Sequence, residues 1–340
     1  CNLPSGKKIV LFFYDGDRSQ GVAFKGLLEN GKAFADDLIS GFQATEESQL
    51  VHIATDGESY GHHHKNGDMA LAYAIRYIET NNLARITNYS EYMHTVDAVY
   101  EAEIHENSSW SSAHGVERWR SDCGCHTGGM EGWNQAWRAP LRDALDNLRE
   151  KLIKVFEKEM KTLIPKPWEA RDAYVEVMLN RTKANIENFI SKHAAKGLSE
   201  TQKTKAIRLL EMQRHAQLMF TSCGWFFNEL SGIETVQILQ YAARAIQLAE
   251  SESDTKLEAG FLVDLDKAKS NIAEMGSGKD LYQKYISPYK LTLTQVGMHY
   301  AVASLFANNP KTLTVLNYDC QSIKYERLNA GIQKLAIGST

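Results

Sequence analysis

Two carboxylates and three imidazoles fall within nine residues of this chain, Asp56-Gly57-Glu58-Ser59-Tyr60-Gly61-His62-His63-His64. Asp56 and Glu58 are two apart, so they share a face on a continuing strand and stay close on a turn. Neighbouring carboxyls raise one another's pKa, which keeps one protonated near neutral pH as a general acid. Cleavage of a glycosidic bond uses such a pair, one carboxyl protonating the leaving oxygen and a second carboxylate opposite it. A salt-bridged turn is the plainer reading. The histidines admit a second chemistry, because Asp56 with two imidazoles suits a zinc hydrolase. Against it, adjacent histidines point in different directions, and the sequence has no His-x-x-x-His spacing.

Two further clusters stand out. Cys123-Gly124-Cys125-His126, with the distant Cys223, contains zinc-type ligands. Its Cys-x-Cys spacing is tighter than the usual Cys-x₂₋₄-Cys, and small buried thiols in a Gly-rich loop account for it at less cost. No metal is therefore expected. Cys223-Gly224-Trp225 interrupts a helical run that extends from Gln213 to Glu229. A glycine there costs about 1 kcal/mol and marks a kink or a close approach. Trp225 and Phe226 either stack on a sugar ring or fill a helical core.

The elements that must position these groups follow from periodicity. Lys8–Tyr14 and Leu50–Ala54 are apolar runs, each ending at an Asp-Gly pair or one residue short of it, and both read as buried strands. Between them, Ser19 to Phe42 has helical spacing weakened at Gly26 and Gly31, so two helices with a break are expected. Strand, helix, strand is a parallel βαβ unit, which would set Asp15 and Asp56 on one rim. The alternative for both is that Asp-Gly only makes the turn. A helix is expected over Met69–Thr80 with Asp68 as its N-cap, then a strand over Ala84–Tyr89.

Residues 106–137 are poor in aliphatics and hold Trp110, Trp119, Trp133 and Trp137. The tryptophans argue for an ordered cap or site wall rather than disorder. From Trp133 onward the pattern is helical. Leu141, Leu145, Leu148, Leu152, Val155 and Phe156 form one stripe, and further helices are expected at Trp168–Lys192, Ser199–Phe227, Ile233–Glu250, Asp254–Ala273, Gly278–Ile286 and Leu293–Phe306. Short connections imply an antiparallel array. After Pro310, Leu313–Tyr318 reads as a strand and Gln321–Asn329 as a strand or a short helix.

Composition narrows the class. The 340 residues are 43% hydrophobic and 24% charged with a net charge of −4, ordinary for a globular protein and no attraction for nucleic acid or anionic membrane. No apolar run approaches the ~20 residues that span a bilayer. Five scattered cysteines fit a reducing, cytoplasmic setting better than a disulfide framework. The chain opens on Cys1 and a polar turn, and the natural N-terminus is expected upstream.

Asp56-Gly57-Glu58-Ser59-Tyr60-Gly61-His62 resembles the Asp-Gly-Glu-x-aromatic-Gly motif of glycoside hydrolase family 57. The Cys223-Gly224-Trp225 helix is similar to that family's last conserved region, with Gly224 where a polar residue is often found. The Trp119–Gly129 stretch and the helices after it resemble the uncharacterised domain that follows the barrel in some bacterial members. The resemblance implies a retaining enzyme acting on α-glucans, with Asp56 as general acid/base and Glu58 as the motif glutamate. It implies Asp15, His62, His63, Trp119 and Trp225 as substrate-binding residues, no cofactor and no metal. No glutamate here matches the family's nucleophile motif, so the chain by itself is expected to be inactive. The expected fold is α/β plus all-α: the C-terminal portion of an incomplete (β/α)₇ barrel over residues 1–130, a helical bundle over 131–309, and a further region over 310–340. The competing readings are a zinc-dependent hydrolase on a related barrel and a non-catalytic glucan-binding protein. The partner in the leading reading is carbohydrate, with no nucleic acid and no membrane.

Overall fold

The computed structural model describes residues 1–45, 47–109, 112–315 and 318–340. Trp110 and Ser111, part of the tryptophan-rich loop, and Leu316 and Asn317, within the expected Leu313–Tyr318 strand, lie outside the described residues. The chain divides into two units, Cys1–Glu106 and Asn107–Thr340.

In the first unit, side-chain caps start the helices. Asp15 accepts the Arg18 N–H and begins α1 (Gly16–Phe24). Gly26, at φ 73°, lets the chain turn into a 3₁₀ segment at Leu27–Glu29. Asn30 accepts from the Lys32 and Ala33 N–H groups and begins α2 (Gly31–Ile39). The expected helical stretch is thus two helices with a break between them. A second 3₁₀ segment covers Gly57–Tyr60, followed by α3 (Gly67–Thr80) and α4 (Tyr89–Thr95). The N-cap of α3 is Asn66, in the left-handed region, so Asp68 lies in the first turn rather than at the cap. The core here is small: Val22, Leu28, Phe34, Ala35, Ala70, Ala74 and Ile78.

Among its described residues the first unit has no β-strand, which corrects the βαβ expectation. Lys8–Tyr14 and Leu50–Ala54 are extended but form no ladder. They meet where the Asp15 N–H donates to the His52 carbonyl at 3.0 Å and His52 Nε2 lies 2.9 Å from the Phe13 carbonyl oxygen. The Ala54 N–H is spent on Ser19 Oγ at 3.1 Å rather than on a neighbouring strand. A parallel ladder needs evenly spaced bonds along both runs and cover on both faces. Here Phe13 is 78% exposed and Ile9 48%. Ala84–Asn88 is likewise coil; the Asn88 side chain then caps α4 at the Glu91 N–H. The incomplete barrel is therefore not seen in this unit.

The second unit opens with the loop over 107–137, which contains a 3₁₀ turn at Gly115–Trp119. The helices then run as α5 (Arg138–Met160), α6 (Pro167–Ala173), α7 (Val175–Leu179), α8 (Lys183–His193), α9 (Glu200–Leu218), α10 (Cys223–Phe226), α11 (Ile233–Glu252), α12 (Glu258–Leu265), α13 (Gly278–Tyr285) and α14 (Leu293–Ser304). The single helix expected over Trp168–Lys192 is three, interrupted at Tyr174 and again where Asn180 turns extended at φ −143°, ψ 96°. Reciprocal capping boxes begin α9 (Ser199 with Gln202), α13 (Ser277 with Asp280) and α14 (Thr292 with Gln295).

The predicted α5 stripe is the core of this unit: Leu141, Leu145, Leu152 and Phe156 are fully buried against α9, α11 and α12. On α11 the buried face is rich in alanine, with Ala242, Ala243, Ala245 and Ala249, so α9 packs closely on it. The Gln213 side chain, buried on α9, donates to the Leu152 carbonyl. After Pro310 come two antiparallel hairpins, β1 (Thr312–Val315) with β2 (Tyr318–Gln321), and β3 (Lys324–Ala330) with β4 (Gln333–Ser339). The segment expected as a strand or short helix after Gln321 is therefore strand β3.

Candidate functional site

Asp56 sits at the N-cap of the Gly57–Tyr60 turn, in extended backbone, and its side chain caps no N–H. Asp56 and Glu58 are both exposed, and so are His62 and His63, whose rings lie 5.0 Å apart. The turn itself is held by other groups: the Ser59 N–H donates to the Asp56 carbonyl at 3.1 Å, and the His63 N–H to the Glu58 carbonyl at 2.9 Å. Thr55 Oγ1 donates to Tyr60 Oη at 3.1 Å. His64 is committed elsewhere, its Nε2 2.9 Å from the Ala23 carbonyl oxygen. The turn thus presents two carboxylates and two imidazoles to solvent on a pinned backbone. Among the described residues Asp56 and these histidines do not converge as metal ligands.

Asp15 is a different case. Its carboxylate accepts the Arg18 N–H and pairs with the Arg18 guanidinium. The backbone hydrogen bond from Arg18, then the side-chain one, holds it below the usual carboxylate range. The turn-and-cap reading describes what this side chain does here.

Trp119 and Trp225 belong to the second unit, where they meet at one cavity of about 350 Å³ lined also by Val116, Arg142, Phe220 and Ser222. Trp119 donates from Nε1 to the Ser222 carbonyl at 3.1 Å. Trp225 is 0% exposed and stacks with Phe220, centroids 6.2 Å apart and planes at 5°. It offers no open face for a sugar ring and serves as core, the second of the two roles read from the sequence. Gly224 explains its own presence: a Cβ there would stand 2.5 Å from Ile238 Cδ1, so only glycine lets α10 lie against α11. The Gly224 carbonyl accepts from Thr235 Oγ1 at 2.8 Å, fixing that contact.

The loop before α5 is ordered by buried polar groups rather than by aliphatics. Arg118 lies with its guanidinium 3.8 Å from the Phe226 ring centroid and donates to the Phe226 carbonyl at 3.0 Å. Arg138, fully buried, donates to the Cys125 carbonyl at 2.9 Å and to the Phe227 carbonyl at 3.3 Å. Burial pushes the Arg138 pKa down to about 10. Asn228 accepts the Thr127 N–H at 3.0 Å and donates to the Gly128 carbonyl, and Asp122 accepts the Gln135 N–H at 2.9 Å. The segment after α10 is thus the anchor for the loop. Nothing in the sequence marks either arginine as a site former, because an Arg in a polar loop (Arg118) or at the start of a helix (Arg138) looks like any solvated charge. Nor does the sequence mark Ser112 and His114 as partners of the Cys-Gly-Cys pair, since about ten residues of loop separate them from it.

Residues 133–340 match the family model described as Domain of unknown function (DUF3536). The chain belongs to this family. Residues 2–105 match the model described as Glycosyl hydrolase family 57, so the glycosidase-like segment of this DUF3536 protein contains the whole Asp56 turn. The match supports a glycoside hydrolase in general, with carbohydrate as its substrate class. Comparison with curated proteins and with solved structures returns no match. No helix among the described residues is long and apolar enough to cross a membrane.

Proposed function

We propose that the segment ahead of the DUF3536 region supplies the acid/base half of a retaining α-glucan hydrolase or transglycosidase, with Asp56 as the proton carrier. Asp56 would protonate the departing glycosidic oxygen and then take a proton from the incoming water or sugar hydroxyl. Glu58, two residues on, would tune that proton, and His62 and His63 would bind sugar hydroxyls from the same exposed turn. The observation that carries this reading is the Asp-Gly-Glu turn itself. It falls inside the stretch that matches family 57, and the Asp56 carboxylate spends nothing on capping its own helix, unlike that of Asp15. The retaining route also needs a carboxylate nucleophile, and that role is assigned to no residue of this chain. Asp15, Trp119 and Trp225 keep supporting roles, the first as a cap and the other two as walls of the second unit's cavity.

The test is turnover and binding of maltooligosaccharides by the natural full-length protein and by its Asp56→Asn variant, because the chain by itself is expected to be inactive. Loss of an acid/base carboxyl should lower turnover by about 10²–10⁴-fold while leaving binding intact. Unchanged turnover in the variant removes Asp56 from the role. Binding by both proteins with turnover by neither makes this a glucan-binding unit.

A further inference from the structure

Within the second unit, His114, Cys123 and Cys125 bring their ligand-bearing atoms within 4.8 Å of one another, the one such group among the described residues. His114 Nδ1 lies 3.1 Å from Cys125 Sγ, and Ser112 Oγ lies 3.0 Å from the same sulfur. A tetrahedral zinc with Zn–S of about 2.3 Å and Zn–N of about 2.0–2.1 Å sets its ligand atoms roughly 3.5–3.8 Å apart. All three ligand atoms already fall within 4.8 Å of one another, and the His114–Cys125 pair, now at hydrogen-bond distance, would part by roughly 0.5 Å to admit the ion. We propose that His114, Cys123 and Cys125 form a zinc site that fastens the 107–137 loop, with water in the fourth position.

Three features of the loop favour a metal over chance proximity. Its described residues have few aliphatic side chains and, apart from one isolated bridge, no regular structure beyond one 3₁₀ turn, the situation in which small units use a metal in place of a core. The ligands come from its two sides, His114 before the 3₁₀ turn and Cys123 and Cys125 after it, so one ion would close the loop on itself. Gly124, between the two cysteines, adopts φ 81°, which turns Cys-x-Cys sharply enough for both sulfurs to face the histidine. The Cys-x-Cys spacing, unfavourable for a zinc knuckle on sequence alone, is rescued by a third ligand from another part of the loop. His126 and Cys223, the partners the sequence offered, stand outside the group. His126 turns its Nδ1 to Gly128, and Cys223 is exposed at the start of α10.

The test uses the whole 340-residue chain, purified under reducing, chelator-free conditions. Zinc is measured by mass spectrometry, and the apo protein is loaded with Co²⁺ to read thiolate-to-metal charge transfer. On the order of one zinc per chain is expected, displaced by a thiol-blocking mercurial, with a cobalt spectrum showing sulfur ligation. Cys123→Ser and Cys125→Ser should each lose the zinc. His114→Ala should weaken it by at least about tenfold, whereas Cys223→Ser should bind as the parent does. The cobalt spectrum of the parent protein guards against a variant that merely misfolds. A parent protein free of zinc, a cobalt complex without sulfur charge transfer, or equal zinc in the folded cysteine variants would overturn the site. A Cys123–Cys125 disulfide recovered from reducing conditions would do the same.

Discussion

Phe156 and Phe13 are the same side chain with opposite fates. Phe156, on α5, is 0% exposed among helices of the second unit, while Phe13, at the end of the first extended run, is 78% exposed. Both were read from the sequence as buried. The difference lies in how far along the chain their partners are. The α5 stripe needs other amphipathic helices joined by short connections, and those follow in order. A parallel strand needs neighbours on both edges and layers on both faces, all from distant sequence. The helical signal carries its own solution; the strand signal states only a demand.

Mutations sharpen that contrast from the largest effect downward. Phe156→Ala should cost the second unit about 3–5 kcal/mol, seen as an earlier urea transition of its helical signal. Gly224→Ala, which drives a methyl into Ile238, should cost about 1–3 kcal/mol in the same measurement; no loss would show that α10 shifts freely against α11. Ser199→Ala, which removes the N-cap of α9, should cost about 1 kcal/mol. Phe13→Ser should stay within about 0.5 kcal/mol in either unit's transition. A larger loss would mean that the extended run is covered in solution.

Charge sharpens it further, with a sign that can be worked out. On α9, burial works to raise the Glu211 pKa, but hydrogen bonds from Tyr174 (2.7 Å) and Arg181 (2.8 Å) outweigh it and the net direction is down. One turn along, burial lowers His215, which faces Glu211, Arg214 and Arg244. A carboxylate depressed in the fold contributes stability above its unfolded value and loses it as pH falls through the folded one. A histidine depressed in the fold makes unfolding more favourable once pH drops below about 6.5, where the unfolded side chain takes its proton first. Both predict that the helical unit weakens progressively from about pH 6.5 downward, followed by circular dichroism in urea. His215→Gln should flatten the upper part of that decline and Glu211→Gln the lower part. A decline of the same shape in both variants would place the acid sensitivity elsewhere.

Much of the candidate site is legible in the sequence. Asp56, Glu58, His62 and His63 are neighbours in sequence, so any turn exposes them together, and Gly224 announced a close approach that Ile238 then supplied. Trp225 was undecidable, because a tryptophan in a helical run reads the same whether its face is open or stacked on Phe220. His114 was invisible as a partner of Cys123 and Cys125, since loop closure obeys no period.

The sequence by itself determined the helical character of the second unit and its α5 stripe, the break at Gly26 and the chemistry gathered at Asp56, because those features rest on spacing within a few residues of one chain segment. Tertiary structure alone decided that the two apolar runs are extended without a ladder and that His114 meets the Cys-Gly-Cys pair. Each of these depends on which distant atoms arrive to satisfy a backbone amide or a thiol, and that choice belongs to the packed chain as a whole.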